Sequence, residues 1–241
     1  MRLAVFGLLI LCYSTAGAQQ TVDVGKQDVR VTSSMFYSVG GNPVSTTKYV
    51  RLVDGTPYFR DEWMAGEVED AQGTRYQVPQ LKIDLVDYSV LFIGAGNIEM
   101  QASAAIRRIM LINPADSARL YFLFSDYLPG VRSPEKGWYQ QLDSGRAILY
   151  KLLVRKINEV RPYNSATYEQ SIIGADRYFV LVNGLLQPVK KFKELPEMLG
   201  SQIAETKTFI GSQQLSGRKE EDYLKLIRYF NQLGKASQNT Q

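Results

Sequence analysis

The sequence predicts a mainly β protein of the α+β type: an antiparallel meander, open barrel or sandwich, with C-terminal helices packed on it. Three observations carry this expectation. From residue 48 onward, short runs of β-formers are bounded by turn residues at spacings of about 8–12 residues. Within the run Leu81-Lys82-Ile83-Asp84-Leu85, apolar and polar residues alternate, which predicts one buried face and one wet face. After Lys190-Lys191 the apolar period lengthens from two residues to three and four, the spacing of a helix.

The chain opens with Met1 and Arg2, an apolar run from Leu3 to Leu11, and the small residues Ala16-Gly17-Ala18. A short positive start, an apolar stretch of about 7–15 residues and a small-residue cleavage site mark a secretory signal peptide. Cleavage is expected before Gln19, so residues 1–18 are read as the leader. Cys12 follows Leu11 rather than a small residue, which argues against a lipid anchor; its loss with the leader would leave a mature chain without cysteine. Residues 19–47 are polar and are expected to be loosely ordered, with Val29-Arg30-Val31 as a short strand and Gly40-Gly41-Asn42-Pro43 as a turn.

Residues 48–241 are expected to form a single β-rich domain. Strands are predicted over 48–53, 63–69, 81–86, 89–93, 97–102, 106–112, 119–124, 138–142, 147–155, 177–182 and 185–190. Asn183-Gly184, between two apolar runs, predicts a tight hairpin, because that pair accepts the positive φ angles of a type I′ turn. A helical region is expected over about 193–234. Its clearest helix spans 219–233, where Tyr223, Leu224, Leu226, Ile227, Phe230 and Leu233 form one stripe, with Ser216 as its cap and Glu220-Glu221-Asp222 at its positive end.

Composition narrows the chemistry. The chain holds no histidine and one cysteine, Cys12. Histidine is the usual general base near neutral pH and the commonest metal ligand. A Ser-His-Asp triad and a zincin motif are therefore excluded, and no cofactor or metal is expected. The formal net charge is +4, becoming +3 once Arg2 leaves with the leader. The basic residues are scattered, so no nucleic-acid partner is expected. No later run approaches the ~20 apolar residues that span a bilayer, so no transmembrane segment is expected after signal cleavage.

Few motifs suggest a site. Gly94-Ala95-Gly96 follows an apolar run, as in a dinucleotide-binding turn, but Glu99 stands where the third small residue belongs, and the next residues alternate as a strand does. Gly94 to Asn97 is read as a turn between strands. Tyr58, Trp63 and Trp138 (with Tyr139) are turn-adjacent aromatics, suited either to stacking on a ligand or to rim packing. They are the predicted ligand-binding residues. No catalytic residue is assigned. The rival, a carboxylate-based hydrolase acting on glycans, would draw on Asp61, Glu62 or Asp84. Lys190-Lys191 with Lys193 reads as a solvated connection, and Ser133-Pro134-Glu135-Lys136 matches a Ser-x-x-Lys frame by letters alone.

The strings Gly55-Thr56-Pro57-Tyr58, Asp61-Glu62-Trp63, Gly66 and Leu81-Lys82-Ile83-Asp84 resemble those of a family of secreted Bacteroidota proteins. The likeness extends to Tyr178-Phe179-Val180, Lys190-Lys191 and Tyr229-Phe230-Asn231-Gln232-Leu233, covering roughly residues 48–234. It implies export and a β-rich body. No activity is established for the family, so no residue role is carried over. A more distant fold-level analogy is the half-barrel of periplasmic lipoprotein carriers, a curved antiparallel sheet partly closed by helices. The expected function is an exported, non-enzymatic binding or envelope-associated protein. Its partner would be a small molecule, lipid, glycan or envelope protein. The alternatives are the hydrolase and a structural interaction module.

Overall fold

The computed structural model describes residues 30–31, 41–44, 51–132, 134–164 and 166–238. The predicted leader, Val29, most of 19–47 and Ser133 lie outside the described residues.

Two short strands precede the main body: β1 (Arg30–Val31) and β2 (Gly41–Pro43). After β3 (Leu52–Asp54) come two meanders. The first is β4 (Met64–Asp70), β5 (Arg75–Ile83), β6 (Val90–Ile93) and β7 (Glu99–Ala102). The second is β8 (Ile106–Ile112), β9 (Arg119–Phe124), β10 (Trp138–Asp143) and β11 (Ala147–Leu153). Then follow β12 (Arg155–Val160), β13 (Glu169–Gly174), β14 (Arg177–Val182) and β15 (Leu185–Val189). Three helices close the chain: α1 (Leu195–Met198), α2 (Ile203–Ser212) and α3 (Glu220–Gln238). No helix among the described residues is long and apolar enough to cross a membrane.

The main sheet runs β15-β14-β11-β10-β9-β8-β4-β5-β6-β7-β2, with β1 also alongside β5. All its pairs are antiparallel except β1–β5. The two meanders meet back to back where β4 pairs β8. Residues 103–105 alone join β7 to β8, yet four strand spacings separate those strands in the sheet order. Across a flat sheet that distance is ~19 Å, while so short a link reaches ~14 Å. The sheet therefore curls, bringing β7 round towards β4 and β8. The Ala71 N–H donates to the Ala105 carbonyl at 2.9 Å and pins the link there. The curl stays open, since β2 and β15 end the path unpaired with each other.

Inside the curl pack Val68, Leu81, Ile83, Ile109, Leu111, Phe122 and Trp138. Farther along the same face, Leu149 and Val180 meet Phe192, Leu195, Leu226, Ile227 and Phe230 of the helical region. On the opposite face Leu123, Tyr139, Leu152 and Leu181 gather with Leu128 from the β9–β10 connection. Strand β11 is thus buried on both sides, Leu149 and Leu153 on one and Tyr150 and Leu152 on the other. A smaller sheet, β12-β13-β3, stands apart from this path, and its β13–β3 pair is parallel.

Most predicted strands and the predicted C-terminal helical region are present; the departures have local causes. Strand β5 begins at Arg75, ahead of the expected 81, and runs through Pro79, which sits where the β4–β5 register shifts between Met64↔Leu81 and Gly66↔Val78. A bulge is where a strand tolerates proline. The run 147–155 divides into β11 and β12, and β13 has no alternating apolar pattern to mark it. The wet face expected for Lys82 and Asp84 is corrected: they are 8% and 3% exposed. The segment before β4 folds over them, with Phe59 N–H on the Ile83 carbonyl at 2.9 Å and Leu85 N–H on the Pro57 carbonyl at 2.8 Å. Ser216 does not cap α3. The Asp222 carboxylate reaches back instead and accepts from the Ser216 N–H and hydroxyl, both at 3.1 Å, and from the Gly217 N–H at 2.8 Å. Asn183 and Gly184 take the predicted positive φ angles, 50° and 76°. Gly94 to Asn97 turns β6 into β7, the Gly94 N–H donating to the Ile98 carbonyl at 2.7 Å.

Candidate ligand cleft

The curl leaves a mouth at one end. There the 84–89 turn, the end of β7, the 103–105 link, the end of β9 and the start of β10 converge on a cleft of about 310 Å³. Each wall has a local origin. In the turn, Asp84 Oδ1 accepts the N–H groups of Val86 at 2.9 Å and Asp87 at 3.1 Å, and the Asp84 N–H donates to the Ser89 carbonyl. This folds Asp87, Tyr88 and Ser89 towards the cleft.

Tyr88 sits at φ 61°, the left-handed region that bulky side chains avoid. Such a residue persists only where its surroundings hold it, at about 1–3 kcal/mol, and such positions cluster at ligand sites. What holds it here is Trp138, whose indole Nε1–H donates to the Tyr88 carbonyl at 3.0 Å. The Trp138 ring meets Phe124 edge-on at 5.0 Å. On the other side, β9 ends in a 3-10 turn, Ser125–Tyr127, and the chain returns through Gly137 at φ 150°, whose carbonyl accepts the Ser125 N–H. A Cβ at Gly137 would lie 2.9 Å from Leu152 Cδ1, and its φ of 150° is one that other residues rarely adopt, so glycine suits the return beside Tyr88.

The lining is mixed. Tyr88, Phe124, Tyr127 and Trp138 supply rings; Asp87, Asp126, Gln101 and Lys136 supply polar groups of both signs. Lys136 Nζ lies 5.7 Å from the Tyr88 ring centroid. Asp126 accepts the Ser125 hydroxyl at 3.1 Å. Ser89 Oγ, buried in the wall, has no hydrogen-bond partner among the described residues. A buried polar atom without a partner costs about 1–3 kcal/mol. Among the described residues, no three Asp or Glu side chains come together as a metal-holding group.

Of the three predicted ligand-binding residues, Trp138 lines this cleft and Tyr58 and Trp63 do not. Those two flank Lys82 instead, with Nζ at 4.5 Å from the Tyr58 ring centroid and 4.6 Å from that of Trp63, and Asp61 Oδ1 at 2.9 Å. Their faces are engaged by a lysine of their own chain. The rival carboxylates are also engaged: Asp61 with Lys82, Glu62 with Arg60 at 3.4 Å, and Asp84 in its turn. Asp87, Ser89, Gln101, Asp126 and Lys136 were not assigned to a ligand site from the sequence. Asp87 and Tyr88 fall between the predicted strands 81–86 and 89–93, but nothing local showed that the curl would bring them opposite Lys136. No family model, curated protein or solved structure matches the chain, so the cleft is read from its own residues.

Proposed function

We propose that this is an exported binding protein that holds a small hydroxyl-rich ligand, about the size of one sugar ring, in the cleft beside Trp138. The observation that carries the reading is the left-handed Tyr88, held at the cleft wall by the Trp138 indole, where strain would be lost were the wall only packing. The lining suits hydroxyls, each of which both donates and accepts. Asp87 and Asp126 accept, Lys136 donates, Gln101 does both, and the rings offer flat apolar faces to C–H groups. The volume lies at the small end of ligand sites, which run from ~300 to ~1,000 Å³. Export rests on the Met1 to Ala18 leader pattern.

The test is thermal denaturation against a panel of neutral, amino and acidic monosaccharides, with lipids and peptides alongside. A ligand at about 100 times its dissociation constant adds roughly 2.7 kcal/mol to the folded state. A sugar hit that weakens at least tenfold in both Asp87→Asn and Gln101→Ala supports the reading. A panel in which only lipids or peptides stabilise the fold overturns the ligand class. The export half is read separately, from the N-terminal residue of protein recovered outside the cytoplasm, expected to be Gln19.

A further inference from the structure

The small sheet ends in a bare edge. Among the described residues no strand lies beyond β12 in the order β12-β13-β3. Its backbone donors and acceptors can be sorted. The Ala175 N–H donates to the Val154 carbonyl at 3.2 Å, and the Val154 N–H goes to Asp176 Oδ1 at 3.1 Å, so the groups of 154 point towards β13 and by alternation those of 156, 158 and 160 do too. The Gln170 N–H donates to the Arg51 carbonyl on the β3 side, so Glu159, opposite Gln170, is not bonded to it through the backbone. Arg155, Ile157 and Glu159 therefore point their N–H and C=O groups away from the sheet. A row of this kind is a template for a further strand.

We propose that the strand it takes is β12 of a second copy, paired antiparallel about a two-fold axis at Ile157. Only residues whose groups both point outward can exchange bonds, which leaves few registers. With Ile157 opposite the partner's Ile157, Arg155 stands opposite the partner's Glu159, and Glu159 opposite the partner's Arg155. Two opposite-charge pairs then flank one apolar pair on one face of the sheet. Sliding by two residues one way sets Lys156 against the partner's Lys156; sliding the other way sets both glutamates against isoleucine. The charges select the register whose two-fold axis passes at Ile157.

Both charged residues have internal bonds that leave capacity to spare. Arg155 Nη1 donates to Asp176 at 2.7 Å and to the Val154 carbonyl at 2.8 Å, and a guanidinium carries five N–H groups. Glu159 Oε1 accepts from Gln170 at 2.6 Å, and a carboxylate has a second oxygen. On the face that carries both, Ile157 is 41% exposed and open to its own copy; Val160 and Ile173, each more than half exposed, lie on the opposite face, since Ile173 stands opposite Lys156 and Val160 alternates with Glu159. Six residues of edge bury less than the ~1,200 Å² of a standard interface, so the dimer is weak, with a dissociation constant of roughly micromolar or above.

Sedimentation equilibrium of the purified protein over a wide concentration range tests this. The expected result is a monomer–dimer equilibrium that Glu159→Arg weakens at least tenfold by setting arginine against the partner's Arg155. Cysteine trapping gives an independent readout. Paired residues that exchange backbone bonds have Cα atoms about 5.5 Å apart, within disulfide reach. Ile157→Cys should crosslink at least tenfold faster than Val160→Cys, which the register places far from its own copy. A monomer at every concentration, or equal crosslinking rates for the two cysteines, overturns the proposal.

Discussion

Trp138 joins the interior of the curl to the cleft, and the two roles separate by substitution. It is 1% exposed, so Trp138→Ala should lower stability by about 3–5 kcal/mol in a denaturant titration. Tyr88→Asn keeps a residue type that tolerates φ 61° while removing the ring. Ligand affinity should fall in that variant with the fold intact, as read by titration calorimetry beside circular dichroism. Trp63→Leu is the counterpart away from the cleft. It strips one ring from buried Lys82, and loss of a desolvated cation–π contact costs about 2 kcal/mol. The melting temperature should drop and cleft binding should not change. The sequence singled out all three aromatics for the same reason, ring type beside a turn. It did not separate them, because what divides them is Lys82 folding under Tyr58 and Trp63, and the alternation around Leu81 had placed that lysine in water.

Elements hold together here through side chains that replace missing backbone partners. The start of β11 lacks a neighbour where β10 bulges, and Asn231 of α3 fills the gap: its Oδ1 accepts the Ala147 N–H at 2.8 Å and its Nδ2 donates to the Ala147 carbonyl at 2.9 Å. Asn231→Leu would leave both buried groups unpaired, each at about 1–3 kcal/mol. Denaturation should report the loss, and hydrogen exchange should rise first at Ala147. At the other end of α3, hydrogen bonds govern Asp222. Its desolvation raises the pKa, but donors from Gly217 and Ser216 outweigh that and hold the carboxyl below the usual aspartate value of 3.8. A depressed folded-state pKa gives stability that is present above the ordinary value and lost as pH falls through the lower one. The start of α3 should therefore fray first in acid, seen as amide exchange below about pH 4. Helix α3 itself was plain from its stripe of Tyr223, Leu226, Ile227 and Phe230. Its cap was not, because the capping group lies inside the helix and reaches backwards. Strands β12 and β13 were missed because β12 beyond Arg155 is exposed throughout and the buried face of β13 holds the polar Gln170 beside Ile172, so no apolar period of two is written in them.

Across the whole molecule, several tyrosines are buried with their hydroxyls un-ionised. Burial is the leading cause that pushes Tyr139 from its ordinary 10.0 up to about 12, helped by Glu135 and opposed by Arg177. Burial likewise raises Tyr76, Tyr150, Tyr178 and Tyr223. A raised folded-state value means that the unfolded chain ionises first. The stabilisation is complete below pH 10 and is lost as the pH climbs through the folded values. The protein should unfold cooperatively between about pH 10 and 12, with tyrosinate absorbance and far-ultraviolet ellipticity changing together. Fold class was legible at this scale because turn spacing and hairpin chemistry are local. The choice among meander, open barrel and sandwich was not, since the curl comes from the brevity of the 103–105 link measured against the strand order, and strand order is written nowhere in the period. Strands β11 and β14 pair directly, Leu152 opposite Arg177, so everything from 155 to 176 leaves and re-enters the main sheet at a single doorway. That stretch is a cassette. Replaced by a tight turn, it would leave a plain β11–β14 hairpin behind, and because Trp138 stands opposite Leu153 at that doorway, a foreign sequence spliced there would hang one strand away from the cleft.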